Sequence, residues 1–166
     1  NIDCANEKLL SEVFEACDNI VGVIHFAAYK AVGESVQQPV KYYQNNIDTL
    51  AVLLNVMAIY HVNELVFSSS CTVYGEPDNP VVTEETPIQN ALSPYGATKI
   101  VGEQMLDFTV RSRESLKVAL LRYFNPIGAH ESALIGELPQ GIPNNLVPYI
   151  TQTARGLREQ LTVHGA

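Results

Sequence analysis

Three apolar runs of strand character, Ile20 to Ala28 (IVGVIHFAA), Glu64 to Ser70 (ELVFSSS) and Lys117 to Phe124 (KVALLRYF), are separated by longer stretches of helical character. That alternation narrows the architectures open to the chain more than any other feature. Strands buried on both faces read as near-continuous apolar runs, and parallel neighbours need a crossover between them, usually a helix. The pattern predicts an α/β fold built on a parallel sheet with crossover helices. At 166 residues, 46% hydrophobic and 17% charged, the chain has room for one globular domain with a substantial core.

Ala5 to Cys17 reads as a helix, and Val40 to Tyr60 as a longer one, with Tyr43, Ile47, Leu50, Leu54 and Met57 at roughly helical spacing. Residues 75–93 are rich in Pro, Glu, Asp and Asn and read as an exposed loop crossing the end of the sheet. Ser93 suits an N-cap and Pro94 the first position of a helix running to about Glu114. Gly128 to Pro143 is a long loop with three glycines, and loops of that length in compact domains are usually functional. A helix over Asn145 to Leu157 is expected next, with Pro148 unsettling its start, and then a strand over Leu161 to His164. The chain opens on Asn1 and stops at Ala166 just after that strand, so we expect a fragment of a longer protein.

The net charge of −8 comes without a basic cluster to collect phosphates, which argues against general nucleic-acid binding. Cys4, Cys17 and Cys71 are odd in number, form no Cys-x-x-Cys pair and have no His cluster beside them. Neither a disulfide framework nor a metal site is supported, and reduced thiols in a cytoplasm are expected. No apolar run reaches the ~18 residues that span a bilayer, so no membrane partner is expected.

The chemistry concentrates around Ser93-Pro94-Tyr95-Gly96-Ala97-Thr98-Lys99, where a helix puts Tyr95 and Lys99 on one face. Free tyrosine titrates near pH ~10, so a tyrosine base working at neutrality needs roughly 4 kcal/mol of preferential stabilisation of its phenolate. A nearby lysine and a cationic cofactor supply it in principle. Strands ending in Ser70 and Asn125 would bring those side chains to the carboxyl edge of the same sheet, where open α/β folds bind ligands. Ser70 would then bond a substrate hydroxyl or share its proton with Tyr95, or simply satisfy backbone groups at a strand end. Lys30 reads as a pyrophosphate contact or a solvated loop charge. Asn45 and Asn46 read as capping or exposed amides, Asn144 and Asn145 as helix-start residues, and His25 as a core imidazole. A nicotinamide-binding fold normally opens with a Gly-rich loop. None of the ten glycines forms one, so either the cofactor argument fails or that loop lies upstream of Asn1.

Several stretches together resemble the extended short-chain dehydrogenase/reductase family, and within it the UDP-sugar 4-epimerases. They are His25-Phe26-Ala27, Lys30 to Val36 (KAVGESV), Tyr42 to Asn46 (YYQNN), Ser68 to Gly75 (SSSCTVYG), Ser93 to Gly96 (SPYG), Leu121 to Pro126 (LRYFNP), Gly128-Ala129-His130 and Pro139 to Leu146 (PQGIPNNL). Tyr-x-x-x-Lys marks only the superfamily; the stretches from Lys30 and from Pro139 are far more specific. The resemblance implies a doubly wound, Rossmann-like sheet, with residues 1–125 a partial NAD-binding domain lacking its Gly-rich first βαβ unit and residues 126–166 the start of a sugar-nucleotide region. It implies NAD contacts from Asp3, Cys4, Phe26, Ala27, Ala28, Tyr29, Lys30, Asn45, Ser70, Tyr95, Lys99 and Phe124. UDP-sugar contacts would come from Ser70, Tyr95, Asn125, Asn145, Thr162, Val163 and His164.

The implied activity is interconversion of UDP-galactose and UDP-glucose, with Tyr95, Lys99 and Ser70 catalytic. Tyr95 takes the proton of the sugar 4-hydroxyl as hydride leaves C4 for NAD, Ser70 orients that oxygen, and the 4-keto sugar turns over before hydride returns to its other face. A homodimer through the helices at Val40 to Tyr60 and Tyr95 to Glu114 is also implied. The chain departs from the family at Ala28, where Gly is common, at Cys71, where Ala is usual, and at His164, where an aromatic ring is common. A sugar-nucleotide 4,6-dehydratase is the nearest rival, but this chain has Ser70-Cys71-Thr72 where such enzymes carry an Asp-Glu pair. For the 166 residues on their own the expectation is an inactive fragment, because losing the first βα units leaves an exposed sheet edge.

Overall fold

The computed structural model describes residues 2–136 and 145–162. The chain divides into two compact units, Asn1–Phe124 and Asn125–Ala166. In the first, the element order is α1 (Glu7–Ala16), β1 (Val23–His25), α2 (Val32–Gln37), α3 (Pro39–Ile59), β2 (Glu64–Ser68), a 3-10 turn (Cys71–Tyr74), α4 (Pro94–Ser112) and β3 (Lys117–Leu121). The strands form a parallel sheet in the order β1-β2-β3, with Val23 opposite Leu65 and Leu65 opposite Val118. This is the parallel α/β sheet that the alternating pattern predicts and the Rossmann-like architecture that the resemblance implies.

All three strands are shorter than their apolar runs. β1 is bonded on one side, so only the residues opposite Leu65–Phe67 are held, and Val21 and Phe26 on either side of it are exposed. β2 ends at Ser68, where Ser70 accepts from the Thr72 backbone N–H at 3.2 Å and starts the 3-10 turn. β3 ends at Leu121 because Tyr123 turns back, donating to the Leu121 carbonyl and accepting from the Cys71 N–H at 2.8 Å.

Pro39 sits in the first turn of α3, where a missing N–H is harmless, and the helix ends as His61 takes a left-handed φ of 57°. Leu50, Leu54 and Met57 are buried as expected, but in the first turns the face differs: Tyr42 is fully buried while Tyr43 is 41% exposed, and Asn46 and Thr49 are buried. The polar members of that face are bonded, as described below. Helix α2 was not foreseen; its six residues are too few for a periodic signal. Helix α4 opens as expected, with the Ser93 hydroxyl accepting from the Gly96 N–H at 3.1 Å, and ends two residues before Glu114.

The core is formed by Leu10 and Phe14 of α1, the apolar stripe of α3, Leu65 and Phe67 of β2, and Leu106 and Leu116. Helix α4 lies close against the sheet at Gly102, where a Cβ would come within 2.8 Å of the Phe67 ring. The loop after the 3-10 turn is closed at its base. Gly75 adopts φ +60°, a Cβ there would meet the Asn90 carbonyl at 3.0 Å, and the Gln89 N–H donates to the Val73 carbonyl at 3.1 Å.

In the second unit, α5 (Leu146–Ala154) begins after Asn145. Pro148 is its third residue, where a backbone N–H has no intrahelical partner, so the helix starts undisturbed. It stops at Ala154, short of Leu157, as Gly156 takes φ +71° and its N–H donates to the Thr153 carbonyl. Leu161 and Thr162 are not in a strand. Val163 and His164 lie outside the described residues, as does most of the Pro139 to Leu146 stretch. Among the described residues no helix is long and apolar enough to cross a membrane.

Candidate active site

Ser70, Tyr95 and Lys99 come together at the carboxyl end of β2. The strand delivers Ser70, 7% exposed, and α4, beginning one loop later, delivers the other two from successive turns. Ser70 caps the 3-10 turn, its hydroxyl accepting from the Thr72 N–H, and it stands near enough to the Tyr95 phenol to pull the phenol's pKa down. The backbone-satisfying role foreseen for the hydroxyl is the one its hydrogen bond shows.

The Lys99 side chain is buried, and its ammonium donates to the Ser68 carbonyl at 2.7 Å beneath the Phe67 ring, 5.1 Å from its centroid. Burial lowers its pKa to about 8. The ammonium stands 5.7 Å from the centroid of the Tyr95 ring. Tyr95 itself is shifted upward, mainly by burial, with Cys71 adding to the rise and Ser70 opposing it. Among the protein groups alone, Lys99 is not one of the causes that shift the phenol; the expectation paired it with a cationic cofactor. Lys99 is turned toward a backbone carbonyl, and burial disfavours the phenolate.

Behind Lys99, His25 is buried and stacks on Phe67 with ring centroids 6.0 Å apart. Burial first and the Lys99 ammonium second lower its pKa to about 4, so it is a neutral core imidazole, as expected.

The segment after β1 passes over the amino-terminal half of α3. Asn46 is buried rather than a capping or exposed amide. It accepts from the Tyr29 N–H at 2.8 Å, donates to the Tyr29 carbonyl at 3.1 Å, and donates to the Thr98 hydroxyl at 3.0 Å, next to Lys99. Asn45 donates to the Asn46 side-chain oxygen, and Thr49 donates to the Ala27 carbonyl at 3.4 Å. Tyr42 accepts from the Ala31 N–H and donates to Glu34, which Lys41 also meets. The stretch from Ala27 to Ala31 is thereby pinned from below, leaving Phe26, Tyr29 and Lys30 exposed.

Phe124 is 62% exposed and stacks on Tyr74 at 6.5 Å. Asp3 and Cys4 stand apart, in the turn before α1, where Asp3 accepts from the Ala5 N–H at 2.9 Å. Asn125, Asn145 and Thr162 belong to the second unit, each exposed.

Glu103, Ser69, Arg122 and Tyr42 were given no individual role from the sequence, although two signals pointed to the first and third. Glu103 continues the Tyr95-Lys99 stripe by one more turn, and Arg122 is a charge inside an apolar strand run.

A parallel α/β sheet with serine at a strand end and Tyr-x-x-x-Lys on the next helix defines the short-chain dehydrogenase/reductase class. More narrowly, the model of the NAD dependent epimerase/dehydratase family matches residues 1–165, and the chain belongs to that family. It is 52% identical to a UDP-glucose 4-epimerase of Dictyostelium discoideum over 99% of this chain and 47% of that one. It is 54% identical to UDP-glucose 4-epimerase 2 of Arabidopsis thaliana, over 97% and 44%. The solved structure of UDP-glucose 4-epimerase from Bifidobacterium longum, in complex with NAD+ and UDP, is 48% identical and superposes with a TM-score of 0.91 over 96% of this chain and 48% of that one. The chain spans about half the length of the curated relatives it matches.

Proposed function

We propose that the full protein containing this chain interconverts UDP-galactose and UDP-glucose, a step of galactose metabolism, with bound NAD. The observation that carries the reading is the convergence of Ser70, just past the end of β2, with Tyr95 and Lys99 of α4, the Lys99 ammonium 5.7 Å from the centroid of the Tyr95 ring. It occurs in a chain 52% and 54% identical to two of the UDP-glucose 4-epimerases named above.

The residues present fit a dinucleotide. Two exposed aromatic rings, Phe26 and Phe124, offer apolar faces, and a buried ammonium gives one of its three donors to a carbonyl and keeps the others for ligand oxygens. Phe26, Ala27, Ala28, Tyr29, Lys30, Asn45, Lys99 and Phe124 would hold NAD, with Asp3 and Cys4 toward its adenine. When bound, NAD would take up and return a hydride and add a positive charge beside the phenol.

Tyr95 takes the proton from the sugar 4-hydroxyl and gives it back, and Ser70 holds that oxygen in line. Lys99, already disfavoured as a cation by burial, offsets the charge that develops on the phenol. Asn125, Asn145 and the segment Thr162 to His164 would hold the nucleoside diphosphate.

We infer a homodimer through α3 and α4. Phe108 on α4 is 67% exposed, and a groove of about 800 Å³ beside the same helix has a mixed lining, with Ile88, Leu92, Ile100 and Val101 among Glu76 and Gln104.

The test is to incubate the full protein with UDP-galactose and NAD and identify the product, beside Tyr95→Phe. UDP-glucose that disappears in the variant is the expected result. A 4-keto-6-deoxy sugar nucleotide would replace the epimerase with a dehydratase, and the absence of any product would reject both.

A further inference from the structure

A buried carboxylate ties together the three chain segments that carry the candidate site. Glu103, 4% exposed, lies on α4 one turn past Lys99 and two past Tyr95. Its Oε1 accepts from the Ser69 hydroxyl, and Ser69 is the residue next to Ser70. Both of its oxygens accept from Arg122, Nε at 3.0 Å and Nη2 at 2.8 Å, in a bidentate pair. Arg122 follows β3 and precedes Phe124 by two residues. Its guanidinium also donates to the Tyr74 hydroxyl at 3.2 Å and lies over the Tyr74 ring, which in turn stacks on Phe124.

A network of this kind is not needed for stability. A buried ion pair repays its desolvation poorly, and apolar side chains of similar volume do as well. What it supplies is geometry: planar, bidentate bonds fix orientation as well as distance. Two β-strand ends that stop short of the site, at Ser68 and Leu121, need some other device to hold Ser70 and Phe124 in place. The Cys71–Tyr123 backbone bond joins the two segments to each other, and Glu103 is where α4 grips both by side chains.

We propose that Glu103 is a positioning residue, acting through Ser69 on Ser70 and through Arg122 on the Phe124 segment to hold the hydroxyl, phenol and aromatic ring in register. The inference rests on the epimerase reading above.

The experiment compares full-length wild type, Glu103→Gln, Ser69→Ala and the double variant for kcat and KM with UDP-galactose, NAD content and far-ultraviolet circular dichroism. Glu64→Gln, at an exposed pair with Lys117, serves as the control. The expected result is a kcat lower by about 10- to 100-fold in each single variant. KM and NAD content stay at wild-type values, and the double variant is no worse than the weaker single one. Wild-type kcat in either single variant overturns the inference. So does a kcat that falls only in step with lost structure or lost NAD, because that is a purely structural role. Where Glu103→Gln does not fold, Ser69→Ala, which removes one hydroxyl, decides by its kcat. A wild-type protein without epimerase activity rejects the underlying reading, and this inference with it, whereas active wild type with unimpaired variants rejects this inference alone.

Discussion

The imidazole of His25 is held neutral beneath Phe67, and that neutrality has a measurable consequence. Above pH 6.5 the residue is uncharged whether the chain is folded or not. As pH falls through 6.5 the unfolded chain takes up a proton that the folded one refuses until about pH 4, so stability drains away across that window. The loss is on the order of 3 kcal/mol. Urea unfolding from pH 7 to pH 4 should therefore show a shallower decline in His25→Leu than in wild type, and parallel curves would reject the account. Single residues were also where the sequence was read most unevenly. Tyr-x-x-x-Lys and Ser70 were legible because a fixed spacing on a helix and a strand end are local facts. Asn46 was not, because its partners Tyr29 and Thr98 are distant in sequence and only the fold turns an ordinary amide into a buried clasp. The upward shift of Tyr95 escaped for the same reason, since burial is a property of the assembled site.

For the elements, the contact of α4 with β2 turns on Gly102. Alanine there would gain about 1 kcal/mol of helix propensity. Its Cβ, however, would lie 2.8 Å from the ring of Phe67, a residue 3% exposed with no room to retreat. Overpacking of this kind typically costs 1–3 kcal/mol, roughly, and moves the backbone. Gly102→Ala in the full protein should lower the urea midpoint, and because Lys99 sits on the same helix against the same ring, kcat should fall with it. An unchanged midpoint would mean that α4 shifts freely. The long elements were legible: α1, α3 and α4 carry caps, prolines in the first turn or sustained periodicity. The face in the first turns of α3 was not, because Tyr42 and Tyr43 are interchangeable to a hydrophobic pattern. What selects Tyr42 is a hydrogen-bonding pocket formed by Ala31 and Glu34.

In the first unit as a whole, Phe108 on α4 and Leu92 and Ile88 just before it are exposed, as are Val40 and Ile59 of α3. If that surface is the seam of a dimer, Phe108→Glu should halve the mass of the full protein in light scattering while leaving its circular dichroism intact. Wild type that is already monomeric would reject the seam. The parallel order of the sheet was legible from three apolar runs, whereas the strand ends were not, since side-chain caps and turns beyond each run decide where pairing stops.

The loop between the 3-10 turn and α4 has a further meaning. Its neck is latched by the Val73–Gln89 hydrogen bond and the Gly75 turn, so the hydroxyl before it and the phenol after it are held independently of the residues between. Around Asp78–Pro80, which is exposed, an insertion or rewriting of the chain meets no buried neighbour. A surface built there would leave Ser70 and Tyr95 where they stand.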